Sequence, residues 1–224
     1  MIKLSRTKIE LSIDCPRCFW LDMRHDIKRP PGFPFTINNA IDFLLKKEFD
    51  EHRMAGTPHR IISENKIDAV PYKAPEMDSW RHNFTGVQFE HQDTGFLVYG
   101  AVDDVWINPA GELIVVDYKA TGSTAHKIYD SYKRQMEVYQ WLLKQNGFKV
   151  SNIGYFLFAR VNKANGFHDA KLSFDIFLEP LLGDSSWVEG AITRAKEIYD
   201  GGLPVVGSEC EYCPYVNKRV KSVS

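Results

Sequence analysis

The chain has 224 residues, of which 44% are hydrophobic and 25% are charged, so it is long enough for one sizeable core but short for two full domains. Its formal net charge of -1 excludes a generally basic nucleic-acid binder, and any polyanion must be held by a local groove and by metal. No apolar run approaches the roughly 20 residues of a membrane span, and the N-terminus lacks the apolar segment of a signal peptide. We therefore expect a cytoplasmic protein that does not contact membranes.

The first predicted element is a helix from about Arg6 to His25, which Ser5 can cap. All four cysteines fall into two Cys-x-x-Cys pairs, one inside this helix and one near the other end of the chain: Cys15, Cys18, Cys210 and Cys213. In a cytosolic chain, two such pairs indicate a four-thiolate metal site that joins the two ends. Zinc and an iron-sulfur cluster both use four thiolates, although the ligand spacing favours zinc. The alternative is four unrelated buried thiols.

A second helix is predicted from Thr36 to Met54, because its apolar positions share one stripe and Gly56 can end it. Residues 57–85 contain scattered prolines and charges, so we expect irregular structure there apart from a short helical turn from Met77 to Arg81. A strand is then predicted from Val87 to His91.

Two further strands joined by a tight turn are predicted from Leu97 to Asn108 and from Glu112 to Thr121. Pro109 has the fixed φ that suits the first loop position, and Gly111 tolerates a left-handed conformation at the third, which is typical of a three-residue hairpin loop. The second strand begins with the apolar run 113–116, which shows no alternation and indicates a strand covered on both faces.

This loop determines which residues face one another. If Asn108 faces Glu112, counting outward by twos places Asp103 opposite Asp117, with β-carbons about 4.5 to 5.5 Å apart, and Lys119 on the same face. Two carboxylates that close repel each other unless a cation lies between them. Magnesium or manganese suits such oxygen ligands, and Lys119 could orient a water or neutralise charge on a phosphate. The alternative is a solvated hairpin end with an exposed ion pair.

The remaining predicted elements are a helix, two strands and a last helix: Tyr129 to Asn146, Val150 to Arg160, Lys171 to Leu178, and Trp187 to Tyr199. Together the elements predict one α/β domain over residues 1–224, with a central mixed β-sheet flanked by helices. Its core would span about 36–180, and the segments 1–30 and 181–224 would pack together around the cysteines.

Three short motifs resemble those of a known family in their order and separation: Gly100-Ala101-Val102-Asp103, Val116-Asp117-Tyr118-Lys119-Ala120-Thr121-Gly122 and Gln135-Met136-Glu137-Val138-Tyr139. They look like the successive motifs of RecB-like nucleases in the PD-(D/E)XK superfamily. The resemblance implies a restriction-endonuclease-like core and metal-dependent hydrolysis of phosphodiester bonds. It also implies that Asp103, Asp117 and the backbone carbonyl of Tyr118 bind the catalytic ion.

The resemblance assigns further roles around the ion. Lys119 would assist the attacking water, and Gln135 and Tyr139 would form the helical motif beside the site. Tyr139 also lies on an apolar stripe of its helix, so ordinary core packing is the alternative for it. Basic residues after the second motif could hold flanking phosphates or could be solvated helix charges: Lys127, Lys133 and Arg134.

In the resembled family the helix at 36–54 contributes another metal ligand, usually a histidine. Asp42 is the best match here, and Glu48 and His52 are rivals. The alternative for Asp42 is a plain solvated helix face. Several RecB-like nucleases, including CRISPR-associated exonucleases, carry an iron-sulfur cluster built from one N-terminal and three C-terminal cysteines. This chain has two at each end, with Cys18 where a lysine would stand, so zinc and an iron-sulfur cluster both stay open.

We therefore expect a magnesium- or manganese-dependent deoxyribonuclease, similar to RecB-like exonucleases of DNA repair or defence. Its substrate would be DNA that is single-stranded or has free ends. One alternative is a nucleic-acid-binding module that keeps the fold without the chemistry. Another is a redox protein that uses the four cysteines.

Overall fold

The computed structural model describes residues 1–32, 36–123, 127–164 and 166–223. The strands in these residues are β1 (Ile2–Ser5), β2 (Val70–Pro71), β3 (Val87–His91), β4 (Phe96–Gly100), β5 (Asp104–Ile107), β6 (Leu113–Thr121), β7 (Ile153–Val161) and β8 (Phe174–Leu182). The helices are α1 (Arg6–Asp14), α2 (Pro16–His25), α3 (Thr36–Ala55), α4 (Arg60–Glu64), α5 (Met77–Arg81), α6 (Asp130–Gln145), α7 (Trp187–Asp200) and α8 (Tyr212–Val223). No helix among these residues has the length and apolar character needed to cross a membrane.

The chain forms two compact units. The first contains Met1–Phe33, Glu90–Tyr99 and Ser186–Ser224, and the second contains Pro34–Phe89 and Gly100–Ser185. The segments from the two ends of the chain therefore belong to the same unit.

The second unit is built on a five-stranded sheet with the strand order β2-β5-β6-β7-β8. β6 and β7 are parallel, and the other neighbouring pairs are antiparallel. Two parallel strands need a long connection, which here contains α6. Because α3 and α6 pack against β6, the predicted α/β class with a mixed sheet flanked by helices is confirmed.

The core of the second unit lies where α3 meets this sheet. Phe49 of α3 stacks on Trp106 of β5 with ring centroids 5.8 Å apart, and both side chains are fully buried. Buried side chains from neighbouring elements complete the cluster: Leu45, Ile61, Ile62, Ala69, Ile114, Val116, Tyr118, Leu157 and Leu178. All residues from Leu113 to Tyr118 are buried, which confirms that β6 is covered on both faces.

The predicted hairpin loop is present. Gly111 has a φ of +75°, and its N–H donates to the carbonyl of Asn108 at 2.9 Å. The ladder of β5 and β6 runs from this loop to the pair Asp104 and Val116. The register is therefore the predicted one, and Asp103 lies one residue before the first paired position of β5.

The prediction of a single strand from Leu97 to Asn108 is wrong. This segment forms β4 and β5, which belong to different sheets. Between them, the N–H of Val102 donates to the carbonyl of Trp80 at 3.1 Å, and the carbonyl of Asp103 accepts from Arg81 Nε at 3.0 Å. Because these backbone groups have partners outside the ladder, the pairing stops before Asp103.

The first unit contains a break where one helix from Arg6 to His25 was predicted. Ser5 caps α1 as predicted, since its Oγ accepts from the N–H of Lys8 at 3.2 Å. Cys15, however, has an extended backbone with φ of -152° and ψ of 104°, and it separates α1 from α2. The physical cause is Pro16, which disfavours a helical conformation in the residue before it and begins α2. Both helices pack against α7, and β1 pairs in parallel with β4.

Several elements lie outside the predicted ones, among them β1, β2, α4 and α8. α4 lies within 57–85, so the prediction of irregular structure there is wrong in part. Its N-terminus is capped by His59, whose Nδ1 accepts from the N–H of Ile61 at 3.1 Å. Histidine is not among the usual capping residues, which explains why the sequence pattern did not indicate this helix. The other predicted elements are present, with ends shifted by a few residues.

Candidate active site and cysteine cluster

Two acidic side chains of the second unit lie on or beside the paired strands β5 and β6. Asp103 precedes β5, and its Oδ2 accepts a hydrogen bond from the backbone N–H of Tyr118 at 2.9 Å. Asp117 of β6 is fully buried and forms an ion pair with Lys119. The register of the hairpin therefore brings the Asp103 carboxylate to the part of β6 that carries Asp117 and Lys119.

Lys119 is the cation of this group. Its Nζ pairs with Asp117, donates to Gln135 Oε1 at 3.3 Å and lies 4.6 Å from the centre of the Tyr132 ring. Burial disfavours the charged form, but the carboxylates of Asp117 and Asp103 outweigh it and raise the pKa of Lys119. The raised pKa favours the ammonium form, which can donate hydrogen bonds.

The helix α6 supplies the residues beside Lys119. Gln135 Nε2 donates to the hydroxyl of Tyr139 at 3.0 Å, one helical turn away. The ring of Tyr139 is buried against Gly100, where a Cβ would lie only 2.7 Å from Tyr139 Cε1. The ring of Tyr139 therefore packs in the core, and its hydroxyl contacts Gln135, which in turn contacts Lys119.

Asp42 of α3 is linked to Asp103 through a shared cation. Lys46 Nζ donates to Asp42 Oδ2 at 2.8 Å and lies 3.4 Å from Asp103 Oδ1. Burial and the charge of Asp103 raise the pKa of Asp42. The charges of Asp103 and Asp42 raise the pKa of Lys46 although burial opposes this. The sequence analysis did not single out Lys46, whose spacing of four residues from Asp42 was the available signal.

The two rivals of Asp42 have other partners. Glu48 Oε1 lies 2.8 Å from His59 Nε2, and His52 Nδ1 lies 3.1 Å from Thr57 Oγ1. Among the three helix candidates, Asp42 is thus the one for which the structure records a partner shared with Asp103.

A comparison with protein families identifies the family of the chain. The model described as PD-(D/E)XK nuclease superfamily matches residues 35–217. The chain belongs to this superfamily. Its activity class is accordingly that of nucleases that hydrolyse phosphodiester bonds, typically with a divalent metal ion.

The solved structure of SSO0001 is similar to this chain with a TM-score of 0.43 and 14% sequence identity, over 96% of this chain and 84% of that chain. Among curated proteins, no match to the chain was found.

Beneath the acids of this PD-(D/E)XK nuclease lies an ion-pair network that the sequence analysis missed. Asp104 is fully buried, and its Oδ1 pairs with Arg53 and with Arg81, the latter at 3.1 Å. Its Oδ2 accepts from the hydroxyl of Tyr118 at 2.7 Å, and Arg81 also donates to the carbonyl of Asp103. The network therefore holds the chain at Asp103 and at Tyr118. An arginine on the inner stripe of α3 was the available signal, because a buried arginine requires an acidic partner.

The acidic side chains of the candidate site carry the kind of oxygen atom that divalent cations prefer. Asp42 Oδ2 and Asp103 Oδ1 both face one positive charge, the ammonium of Lys46. In the part of the chain that the structure describes, the cysteines alone form a group of three or more Cys, His, Asp or Glu with ligand atoms within 4.8 Å of one another. Asp42, Asp103 and Asp117 therefore do not converge to that distance.

The four cysteines converge in the first unit, as predicted. Their Sγ atoms all lie within 4.8 Å of one another. Cys18 is 3.5 Å from Cys213 and 3.7 Å from Cys210, and Cys15 is 4.0 Å from Cys213. The alternative of four unrelated thiols is wrong, and the cluster can hold a metal ion.

Hydrogen-bond donors surround these sulfur atoms. The N–H of Gly207 donates to Cys15 Sγ at 3.3 Å, and Arg29 donates to Cys210 Sγ at 3.4 Å. Burial opposes ionisation of Cys15, but hydrogen bonds from Gly207 and Cys18 lower its pKa to about 7. A glycine is needed at 207, because a Cβ there would collide with the carbonyl oxygen of Asp14. The surroundings therefore favour the thiolate of Cys15, the form that binds metal, whereas burial and contacts with other cysteines raise the pKa of Cys18 and of Cys213.

Proposed function

We propose that this chain is a magnesium- or manganese-dependent deoxyribonuclease of the RecB-like type. The observation that carries the proposal is the chain of contacts from Asp117 through Lys119 and Gln135 to Tyr139, with Asp103 held on the adjacent backbone. A module that only bound nucleic acid would not require these groups to be kept in mutual contact.

Asp103, Asp117 and the backbone carbonyl of Tyr118 would hold the ion, together with Asp42. When bound, a divalent ion polarises a phosphate oxygen and lowers the pKa of a bound water. The role of the protein is to keep these ligands fixed. The buried Asp104 supports this role, because its partners tie it to both Asp103 and Tyr118.

Lys119 would stabilise the developing charge. As an ammonium held by Asp117 and Gln135, it can donate a hydrogen bond to the attacking water or to a phosphate oxygen as negative charge accumulates there. Gln135 orients the ammonium, and Tyr139 in turn orients Gln135. Preorganised donors of this kind do not need to rearrange during the reaction.

A cavity beside Lys119 supports a preference for DNA that is single-stranded or has free ends. It has a volume of about 380 Å³, and Lys119, Tyr129 and Tyr132 are among the residues that line it. The Tyr129 ring is half-exposed and packs edge to face on Tyr132, with centroids 5.2 Å apart. Lys127 lies over the Tyr129 ring at 5.4 Å. Exposed aromatic rings beside lysines can stack unpaired bases and bind the backbone. Exonuclease activity in DNA repair or defence is proposed from the resemblance to RecB-like nucleases.

The test is an incubation of the purified chain with end-labelled single- and double-stranded DNA of one sequence, with magnesium, manganese or a chelator. We expect cleavage only with metal, faster on the single strand, and progressive shortening from an end. Absence of cleavage on every DNA, with a labelled oligonucleotide still bound, would identify a binding module instead. Cleavage of the matched RNA alone would refute the proposed substrate.

For the cysteine cluster we propose one structural zinc ion. Four thiolates around one zinc at about 2.3 Å form a tetrahedron with edges of about 3.8 Å, and the recorded Sγ separations of 3.5, 3.7 and 4.0 Å match it. An iron-sulfur cluster has several metal centres joined by sulfides, so thiolates on different irons must stand further apart. Retention of four thiols also suits the reducing cytoplasm.

Elemental analysis of the purified protein tests the metal. We expect one zinc per chain and a colourless solution. Stoichiometric iron with broad visible absorption would refute zinc and would revive a redox role. This outcome is independent of the nuclease test, because the cysteines belong to the first unit and the candidate active site to the second.

A further inference from the structure

The ammonium of Lys46 lies between two acidic side chains of the candidate active site. Its Nζ lies 2.8 Å from Asp42 Oδ2 and 3.4 Å from Asp103 Oδ1. The Lys46 side chain is only 21% exposed, and those of Asp42 and Asp103 are 35% and 24% exposed, so water screens the three charges only in part.

The contacts of Asp103 leave one of its oxygen atoms for a cation. Oδ2 accepts the hydrogen bond from the backbone N–H of Tyr118, whereas Oδ1 faces Lys46. A divalent ion bound by Asp42 and Asp103 would need this same Oδ1 atom and would repel an ammonium beside it. Two cations therefore compete for one pair of carboxylates.

We propose that Lys46 is a positioning residue that holds Asp42 and Asp103 together in the metal-free protein and must leave before a divalent ion binds between them. The inference rests on the proposed function, because it takes these acids as ligands of the catalytic ion. Lys46 would then lower the metal affinity of the site and keep its ligands in place while the site waits for an ion.

The alternative role for Lys46 is simple stabilisation of α3. Asp42 and Lys46 are four residues apart, and such a pair supports a helix whether or not it has any role in metal binding. The two roles differ in what removal of the charge does to metal affinity. A helix pair has no effect on the ion, whereas loss of a competitor strengthens ion binding.

The variants follow from this difference. Lys46→Met keeps the length of the side chain and removes its charge, and Lys46→Arg keeps the charge. Lys47→Met is the matched control, because Lys47 is the next residue of α3 and is exposed. If Lys46 contributes as a partly buried ion pair, its removal should strengthen metal binding by about three- to tenfold.

The measurement is a Mn²⁺ titration of the purified full chain without DNA, with free Mn²⁺ followed by electron paramagnetic resonance. We expect a Kd about three- to tenfold lower for Lys46→Met than for the unaltered chain, and an unchanged Kd for Lys47→Met. Lys46→Arg should bind Mn²⁺ no more tightly than the unaltered chain. Far-UV circular dichroism verifies that each variant is folded.

An equal or higher Kd in Lys46→Met would overturn the inference, as would the same gain in Lys47→Met or Lys46→Arg, or no Mn²⁺ binding by any variant. Its failure is separable from that of the proposed function. Metal-dependent DNA cleavage with an unchanged Kd in Lys46→Met would leave the nuclease proposal standing and refute only the role of Lys46. Tighter Mn²⁺ binding without any cleavage would support the role of Lys46 and refute the nuclease proposal.

Discussion

Replacing Gly100 by alanine should disturb the candidate active site through one packing contact. A Cβ at this position would lie 2.7 Å from Tyr139 Cε1 and 3.0 Å from Tyr139 Cδ1. Carbon atoms in ordinary contact are about 3.5 to 4.0 Å apart, so the ring must move by about 1 Å. Tyr139 is 3% exposed and cannot swing into solvent.

The expected magnitude has a stability part and an activity part. Overpacking a well-filled core costs about 1 to 3 kcal/mol of unfolding free energy. The displaced ring also carries its hydroxyl, which accepts from Gln135, and Gln135 in turn accepts from Lys119. A misplacement of about 1 Å among positioned groups can lower the rate by about 100-fold.

Urea unfolding followed by tryptophan fluorescence measures the first part, and single-turnover cleavage measures the second. Gly190→Ala is the matched control, because a Cβ there meets nothing within 4 Å and the residue lies in α7. That control should leave cleavage unchanged and stabilise the protein by about 0.5 to 1 kcal/mol.

A second variant separates packing from positioning. Adding Tyr139→Leu to Gly100→Ala makes room for the new methyl group and should recover stability, but it should not recover cleavage, because the hydroxyl is lost. If Gly100→Ala unfolds and cleaves like the unaltered chain, the contact between Gly100 and Tyr139 does not position the site, and the reasoning is refuted.

Three further predictions concern buried charge, pH and the cysteine cluster. Asp104→Asn should lower the unfolding free energy by about 3 to 5 kcal/mol, because Arg53 loses a buried anionic partner; an unchanged urea midpoint would contradict this. The folded pKa of Lys119 is raised, so the stability it contributes is present below about pH 10.4 and lost only as the pH rises through that higher folded pKa. The stability difference from Lys119→Met should therefore stay constant from neutral pH to about pH 10, and a decline within that range would contradict the shift. Gly207→Ala should release metal faster to a colorimetric chelator, since its Cβ collides with the backbone beside Cys15, and an unchanged release rate would argue against that collision.

Local sequence signals predicted the parts of the fold that local chemistry controls. The hairpin register follows from Pro109 and Gly111, whose backbone preferences act within the loop itself. The break at Cys15 also has a local cause, because Pro16 follows it directly. It was missed because the helical periodicity on both sides of it favoured one continuous helix.

Features that depend on distant partners were not readable from the chain. The end of the pairing before Asp103 depends on Trp80 and Arg81, which are more than twenty residues away in sequence. Lys46 stands four residues from Asp42, yet its significance depends on Asp103, which only the fold brings to it. Motif spacing thus indicated the acids, Lys119 and the two α6 residues beside it, whereas Lys46 and the ion pairs of Asp104 required coordinates.

The central claim is that Asp117 and Lys119 take part in the hydrolysis of DNA. It is tested most directly by magnesium-dependent cleavage of end-labelled DNA by purified Asp117→Ala and Lys119→Ala, beside Lys47→Ala as an exposed-lysine control. We expect both site variants to lose cleavage while retaining their circular dichroism and their zinc content, and we expect the control to cut at the unaltered rate. Full cleavage by either site variant would contradict it.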